Sequence, residues 1–155
     1  MTERVFVALG SNLGERQTQL MDAVARLGRL EGTTVLAVAP VLETPALLPP
    51  DDLTPQPDYL NTVAELRTPL EPLPLLRALK SIERDMGRLV TTRWAPRLID
   101  LDLVLYGART ERSPELTLPH PGLSSRRFVL EPLVALWPDA VHPQTGQLLR
   151  SVQPG

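Results

Sequence analysis

The chain contains no cysteine. Disulfides and thiolate chemistry are therefore excluded, and a zinc site is not expected. Lysine is nearly missing as well: Lys80 stands alone, and every other basic residue is arginine. Any phosphate handled here meets mainly guanidinium forks, each of which binds two oxygens at once. Aromatic residues make up 4% of the sequence, so few rings are on offer, and the two asparagines are Asn12 and Asn61. No apolar run approaches the length of a membrane span. The one near the start, Val5 to Leu9, is too short and too early for a signal peptide. A formal net charge of −2 provides no broad basic field for nucleic acid or a membrane surface. A Gly-x-x-x-x-Gly-Lys-Ser/Thr phosphate loop is also missing, which rules out a P-loop enzyme. These absences lead to the expectation of a cytoplasmic protein of small-molecule chemistry, with no nucleic-acid, membrane or obligate protein partner.

What is present fits one domain over residues 1–155, with 43% hydrophobic and 22% charged residues. Val5 to Leu9 reads as a buried strand, and Gly10-Ser11-Asn12-Leu13-Gly14 as a turn. Leu20, Val24, Leu27 and Leu30 recur at helical spacing and predict a helix from roughly Glu15 to Leu30. Thr33 to Val41 reads as a strand broken near its end by Pro40. Pro45 to Pro57 holds five prolines without periodicity and reads as a long loop, a kind that is usually functional or disordered. Asn61 to Leu66 predicts a strand. Pro72 and Pro74 stand where a helix can begin, Leu75, Leu79, Ile82 and Met86 form its stripe, and Gly87 ends it. Arg88 to Pro96 is a second loop and Leu101 to Tyr106 a strong strand. A proline-rich turn around His120, a short helix near Val129 to Trp137 and a tail complete the chain. The order of elements predicts an α+β fold: a ferredoxin-like βαββαβ core with a C-terminal extension, its helices packed on a mostly antiparallel sheet.

Ile99-Asp100-Leu101-Asp102-Leu103-Val104-Leu105 is the most informative stretch. Alternate strand residues share a face, so Asp100 and Asp102 project to one side while Leu101, Leu103 and Leu105 project to the other. Two ionised carboxylates drawn to ~4 Å repel by about 4 kcal/mol at an effective dielectric near 20. A strand tolerates the pair when it is solvated, shares a proton or holds a cation. For a cation, hard oxygen donors favour magnesium, and two such ions can clamp an in-line phosphoryl displacement. On Asp-x-Asp alone, two solvated aspartates on a half-buried strand fit equally well.

The neighbouring residues shift that balance. Arg93-Trp94-Ala95-Pro96-Arg97-Leu98-Ile99-Asp100-Leu101-Asp102 closely resembles the signature of the 6-hydroxymethyl-7,8-dihydropterin pyrophosphokinases. Leu9-Gly10-Ser11-Asn12-Leu13-Gly14 resembles that family's N-terminal turn, and Thr44-Pro45 with Asp58-Tyr59-Leu60-Asn61 its pterin-binding region. Leu118-Pro119-His120-Pro121 with Arg126-Arg127-Phe128-Val129-Leu130 resembles its closing segment. Each piece is weak alone; together, in order and over nearly the whole chain, they are specific. The resemblance implies a ferredoxin-like enzyme that moves the terminal diphosphate of ATP to the pterin's hydroxymethyl group and releases AMP, on the route to folate.

By resemblance, Asp100 and Asp102 hold two magnesium ions against the ATP phosphates, and Arg97 and Arg88 approach those phosphates. Glu83, Thr117, His120 and Arg126 match further residues of the ATP and substrate site. Tyr59 and Phe128 match the aromatic pair that sandwiches the pterin, Asn61 a hydrogen-bonding partner, and Thr44, Pro45 and Leu47 the loop that meets the ring. Trp94 matches a mobile-loop residue that closes the site. The chain departs from the family pattern at Leu42, Leu48 and Val90, and its loop between Thr44 and Tyr59 is longer. Without the resemblance, Tyr59 and Phe128 read as core or rim aromatics, His120 as a turn residue and Glu83 as a solvated helix residue. The competing classes are another magnesium-dependent nucleotide enzyme and a non-catalytic regulatory module on the same scaffold.

Overall fold

The computed structural model describes residues 3–46, 55–87 and 98–154. Its main sheet has the strand order β2 (Thr34–Val38), β4 (Tyr59–Arg67), β1 (Val5–Ser11), β5 (Asp100–Tyr106), with every pairing antiparallel. β3 (Leu42–Thr44) also pairs with β4 and lies end to end with β2 along the same edge. The strand expected from Thr33 to Val41 stops at Val38, before Pro40, which has no N–H to give to a ladder, and β3 is a separate piece beyond its expected end. Between the two pieces, Ala39 keeps contact with β4: its N–H donates to the Val63 carbonyl at 2.9 Å, and its own carbonyl accepts from Thr62 Oγ1 at 2.7 Å.

Helix α1 (Arg16–Leu27) joins β1 to β2, and α2 (Pro72–Asp85) joins β4 to β5. α2 begins with Pro72 in its first turn, where the missing N–H costs no helical bond. It gives way at Gly87, whose φ of +90° suits glycine. Leu20, Ala23 and Leu27 of α1 and Leu75, Leu76, Leu79 and Ile82 of α2 are buried against Val5, Val7, Leu9, Leu101 and Leu103 of the sheet. A short hairpin, β6 (Glu111–Arg112) and β7 (Thr117–Leu118), adds Leu116 and Leu118 to the same core.

The opposite face carries α3 (Arg127–Leu136) and a 3-10 turn at Leu149–Ser151. There Phe6, Val63, Val104, Leu105, Val129, Leu130, Leu133 and Leu149 form a second core. Phe6 stacks on Trp137 with ring centroids 5.7 Å apart, and the Arg4 guanidinium lies 4.4 Å from the Trp137 ring while its fork is held by Glu65 at 2.8 and 3.0 Å.

The two cores divide β5 by parity, with one exception that comes from a bulge. Val7 pairs with Leu103 but Phe6 pairs with Leu105, so Val104 is the extra residue on β5. Leu101 and Leu103 face α1 and α2 as expected, whereas Leu105 turns to the α3 side with Phe6. Strict alternation from Asp100 to Leu105 therefore fails at its last member, because the bulge resets the face.

Candidate active site

The site is built on the α3 face, at the end of the sheet where β1 runs out. Gly10 on β1 is paired with Asn61 on one side and Asp100 on the other. Two residue pairs further in, Ala8 is paired with Asp102. Residues paired across a sheet point to the same face, so Asn61, Asp100 and Asp102 share one surface, with Gly10 as the floor between them. Glycine leaves that floor open. A Cβ on Gly10 would lie 3.1 Å from Asn61 Oδ1 and 3.3 Å from Tyr59 Cδ1, so both side chains rest on the bare backbone.

Asn61 is buried and donates from Nδ2 to Thr44 Oγ1 at 2.8 Å and to the Leu42 carbonyl at 3.4 Å. Thr44 is itself paired with Tyr59 across β3 and β4. The structure thereby brings Thr44, Tyr59 and Asn61 together and leaves Pro45 exposed beside them. Asn12 Nδ2 donates to the Pro57 carbonyl at 3.2 Å, and Arg16 donates to the Asp58 carbonyl at 2.7 Å, which ties the first turn to the chain entering β4. Phe128, in the first turn of α3, is half-buried against the second core, and the Arg126 guanidinium stands 5.8 Å from its ring.

Asp100 and Asp102 are half-buried. His120 Nε2 is 4.0 Å from Asp102 Oδ2. Burial pushes the His120 imidazole down to about 4, the Arg126 cation adds to that, and Asp100 opposes it. The ring is thus neutral near pH 7, and its contact with Asp102 is that of a dipole with a charge. The segment carrying His120 also seals the outer edge of β5: the His120 backbone N–H donates to the carbonyl of the bulge residue Val104 at 2.9 Å. The peptide bond between Leu118 and Pro119, just before it, is cis. Thr117, in β7, is exposed. Glu83 comes from α2, on the opposite face, and reaches the same edge: its Oε2 accepts the Leu101 N–H at 2.7 Å. Without a role, Glu83 reads from the sequence as a solvated helix residue, yet its side chain is 2% exposed. The signal was its position four residues after Leu79 and seven after Leu76, inside the apolar stripe itself. Leu47, Arg88, Trp94 and Arg97 lie outside the described residues.

Among the described residues no group of three or more His, Cys, Asp or Glu side chains is placed to hold a metal ion. Two adjacent aspartates nevertheless suit magnesium, which keeps several waters and is commonly held by one or two carboxylates together with substrate phosphates. The donor set is all oxygen and accessible, with Asp102 38% exposed. This surface can hold an oxygen-bound cation beside the Asn61 amide and the Tyr59 ring that rest on Gly10, an arrangement suited to phosphoryl transfer.

Comparison with known proteins agrees with that class. The chain belongs to the 7,8-dihydro-6-hydroxymethylpterin-pyrophosphokinase family, whose model matches residues 6–138. It is 45% identical over 139 residues to the 2-amino-4-hydroxy-6-hydroxymethyldihydropteridine pyrophosphokinase of Pseudomonas aeruginosa, covering 90% of this chain and 83% of that one. It is 46% identical over 145 residues to the folic acid synthesis protein fol1 of Schizosaccharomyces pombe, covering 94% of this chain but 19% of that protein. The chain thus spans about a fifth of the fol1 relative's length. In fold it is similar to the solved HPPK-DHPS of Plasmodium falciparum bearing A437G with pteroate, with a TM-score of 0.71 at 12% identity over 97% of this chain and 42% of that one.

Proposed function

We propose that the protein transfers diphosphate from ATP to the hydroxymethyl group of 6-hydroxymethyl-7,8-dihydropterin, in folate synthesis. The pterin hydroxyl oxygen attacks the β-phosphorus in line. A new P–O bond forms, the bond from that phosphorus to the α,β-bridging oxygen breaks, and AMP leaves with the electron pair while the hydroxyl proton is released. Magnesium, in two ions held by Asp100 and Asp102, supplies neutralisation of the phosphate charge when bound. The chain's own residues bind, orient and exclude water, and the enzyme forms no covalent intermediate.

The observation that carries this reading is the row Asn61–Gly10–Asp100 across three adjacent strands. Two interstrand spacings of ~4.8 Å separate the outer members by about 10 Å. That distance fits a flat heterocycle hydrogen-bonded at Asn61 and carrying, at its far edge, the atom to be joined to a metal-bound phosphate. Tyr59 and Phe128 are assigned to the two ring faces, and Thr44, Pro45 and Leu47 to the ring's surroundings. Arg88, Arg97 and Arg126 are assigned to the phosphates. Thr117 and His120 are assigned to the nucleotide side, Glu83 to the support of the strand that carries the two aspartates, and Trp94 to a closing loop. The scaffold is read as ferredoxin-like, supported by central β1 and β4 with a helix after each, and as one domain over residues 1–155. Among the described residues no helix is long and apolar enough to cross a membrane, and dependence on ATP favours a cytoplasmic setting.

The test is AMP formation with ATP, magnesium and 6-hydroxymethyl-dihydropterin, repeated with each omitted. AMP is expected only when all three are present. AMP formed without the pterin would replace this reading with that of another nucleotide enzyme, and no AMP from folded protein would replace it with that of a regulatory module.

A further inference from the structure

We infer that Glu83 is a positioning residue for the Asp100–Asp102 pair, acting through the backbone amide between the two aspartates and not by touching nucleotide. The inference rests on the diphosphoryl-transfer reading of the same site. Among the described residues β5 is an edge strand, so no described strand lies beside it to take the outward N–H of Leu101. Glu83 Oε2 takes that N–H at 2.7 Å, a short bond in a buried setting. Lys80 Nζ stands 3.4 Å from the other oxygen, Oε1. Both carboxylate oxygens thereby have partners among the described residues, and the group lies deep against the α2 stripe.

On the inner side, Gly10 and Ala8 pair with Asp100 and Asp102. The start of β5 is clamped between β1 and Glu83, with the Leu101 side chain fully buried as the pivot. The amide that Glu83 grips belongs to the peptide linking Asp100 to Leu101, so the bond restrains the backbone on which both carboxylates are spaced. A free edge there would let the pair splay under its own repulsion before a cation arrives. α2 thus reaches past the edge of the sheet to set metal geometry on the opposite face.

The test compares wild type, Glu83→Gln and Glu83→Ala by calorimetric titration of Mg2+ into protein saturated with a non-hydrolysable ATP analogue, and by hydrogen exchange at the Leu101 amide. Glutamine keeps an acceptor oxygen and alanine does not. Magnesium affinity is expected to stay within about threefold of wild type in Glu83→Gln and to weaken about 10- to 100-fold in Glu83→Ala, as for other outer-shell supports of a metal site. The Leu101 amide should stay protected in the glutamine variant and lose protection in the alanine variant. Affinity for the analogue without metal should be unchanged in both. A loss of metal-free analogue affinity in either variant would assign Glu83 to nucleotide contact and overturn the inference. So would a glutamine variant that keeps Leu101 protected but loses metal affinity as badly as alanine is expected to, a result that decides the matter even if Glu83→Ala does not fold. A wild-type chain that binds Mg2+ with the analogue yet forms no AMP would overturn the transfer reading and leave the Glu83 result standing.

Discussion

At His120 the backbone sets the tautomer. Gly122 N–H donates to Nδ1 at 2.9 Å, which leaves the neutral ring's proton on Nε2, the atom facing Asp102. A neutral donor suits a site crowded with carboxylates and expected phosphates, because it adds a hydrogen bond without a titrating charge near pH 7. The same burial has a consequence for stability. The folded ring is pushed down to about 4, first by burial and then by Arg126, while an unfolded histidine titrates near 6.5. Between those values the unfolded chain holds a proton that the folded chain does not. The stabilisation is therefore complete above about pH 6.5 and is lost as pH falls toward 4. At pH 5 the loss attributable to this group is about 2 kcal/mol, an order-of-magnitude figure. Urea unfolding of the metal-free protein at pH 7 and pH 5 should show wild type losing that much more than His120→Gln. Equal losses in the two proteins would mean that this ring is not buried in the neutral form.

Strand β5 joins the two cores to the chemistry, and its two ends obey different rules. Asp100 and Asp102 are half-buried and belong to neither core. Asp100→Ala and Asp102→Ala should therefore each lower turnover by about a thousandfold or more, the upper range for removing one electrostatic support of a transition state. Thermal unfolding should shift little. A rate near wild type in either variant would end the two-carboxylate assignment. This end of β5 was legible in the sequence because polar and apolar residues alternate there with period two. The other end was not: Leu103, Val104 and Leu105 are all apolar, so alternation carries no face information, and the bulge at Val104 is set by pairing with β1. β3 was missed for a related reason. Three residues beyond Pro40 are too few to show a period, and only their register on β4 defines them. Helices α1 and α2 read well because their stripes repeat over several turns. Glu83 was assigned a role by likeness, but its bond to the Leu101 amide depends on how α2 is set beside the strand edge, which spacing along the chain does not encode.

On the scale of the whole molecule, one sheet separates two cores that no single helix bridges among the described residues. α1 and α2 pack on one face and α3 on the other. What joins the cores is the strands: β1, β4 and β5 each contribute residues to both, as with Val5 and Val7 on one side and Phe6 on the other. Neither core can open without withdrawing support from strands that the other needs, so unfolding should be a single cooperative transition, as is usual for domains of this size. The two tryptophans make this measurable, because Trp137 packs on Phe6 in the second core. In a Trp94→Phe background, Trp137 fluorescence reports the α3 side alone, while far-ultraviolet circular dichroism reports all helices and strands. The urea midpoints of the two signals should coincide. An earlier fluorescence midpoint would show that α3 and the C-terminal turn leave the sheet as a separate unit. Phe128 would then leave before the carboxylate strand is lost, and, on the proposed assignment of Phe128 to the pterin, pterin binding would fail at lower urea than binding of magnesium with an ATP analogue. Coincident midpoints would mean that the surface bearing Asn61, Asp100 and Asp102 is only as durable as the whole sheet, with both ligand sites failing together.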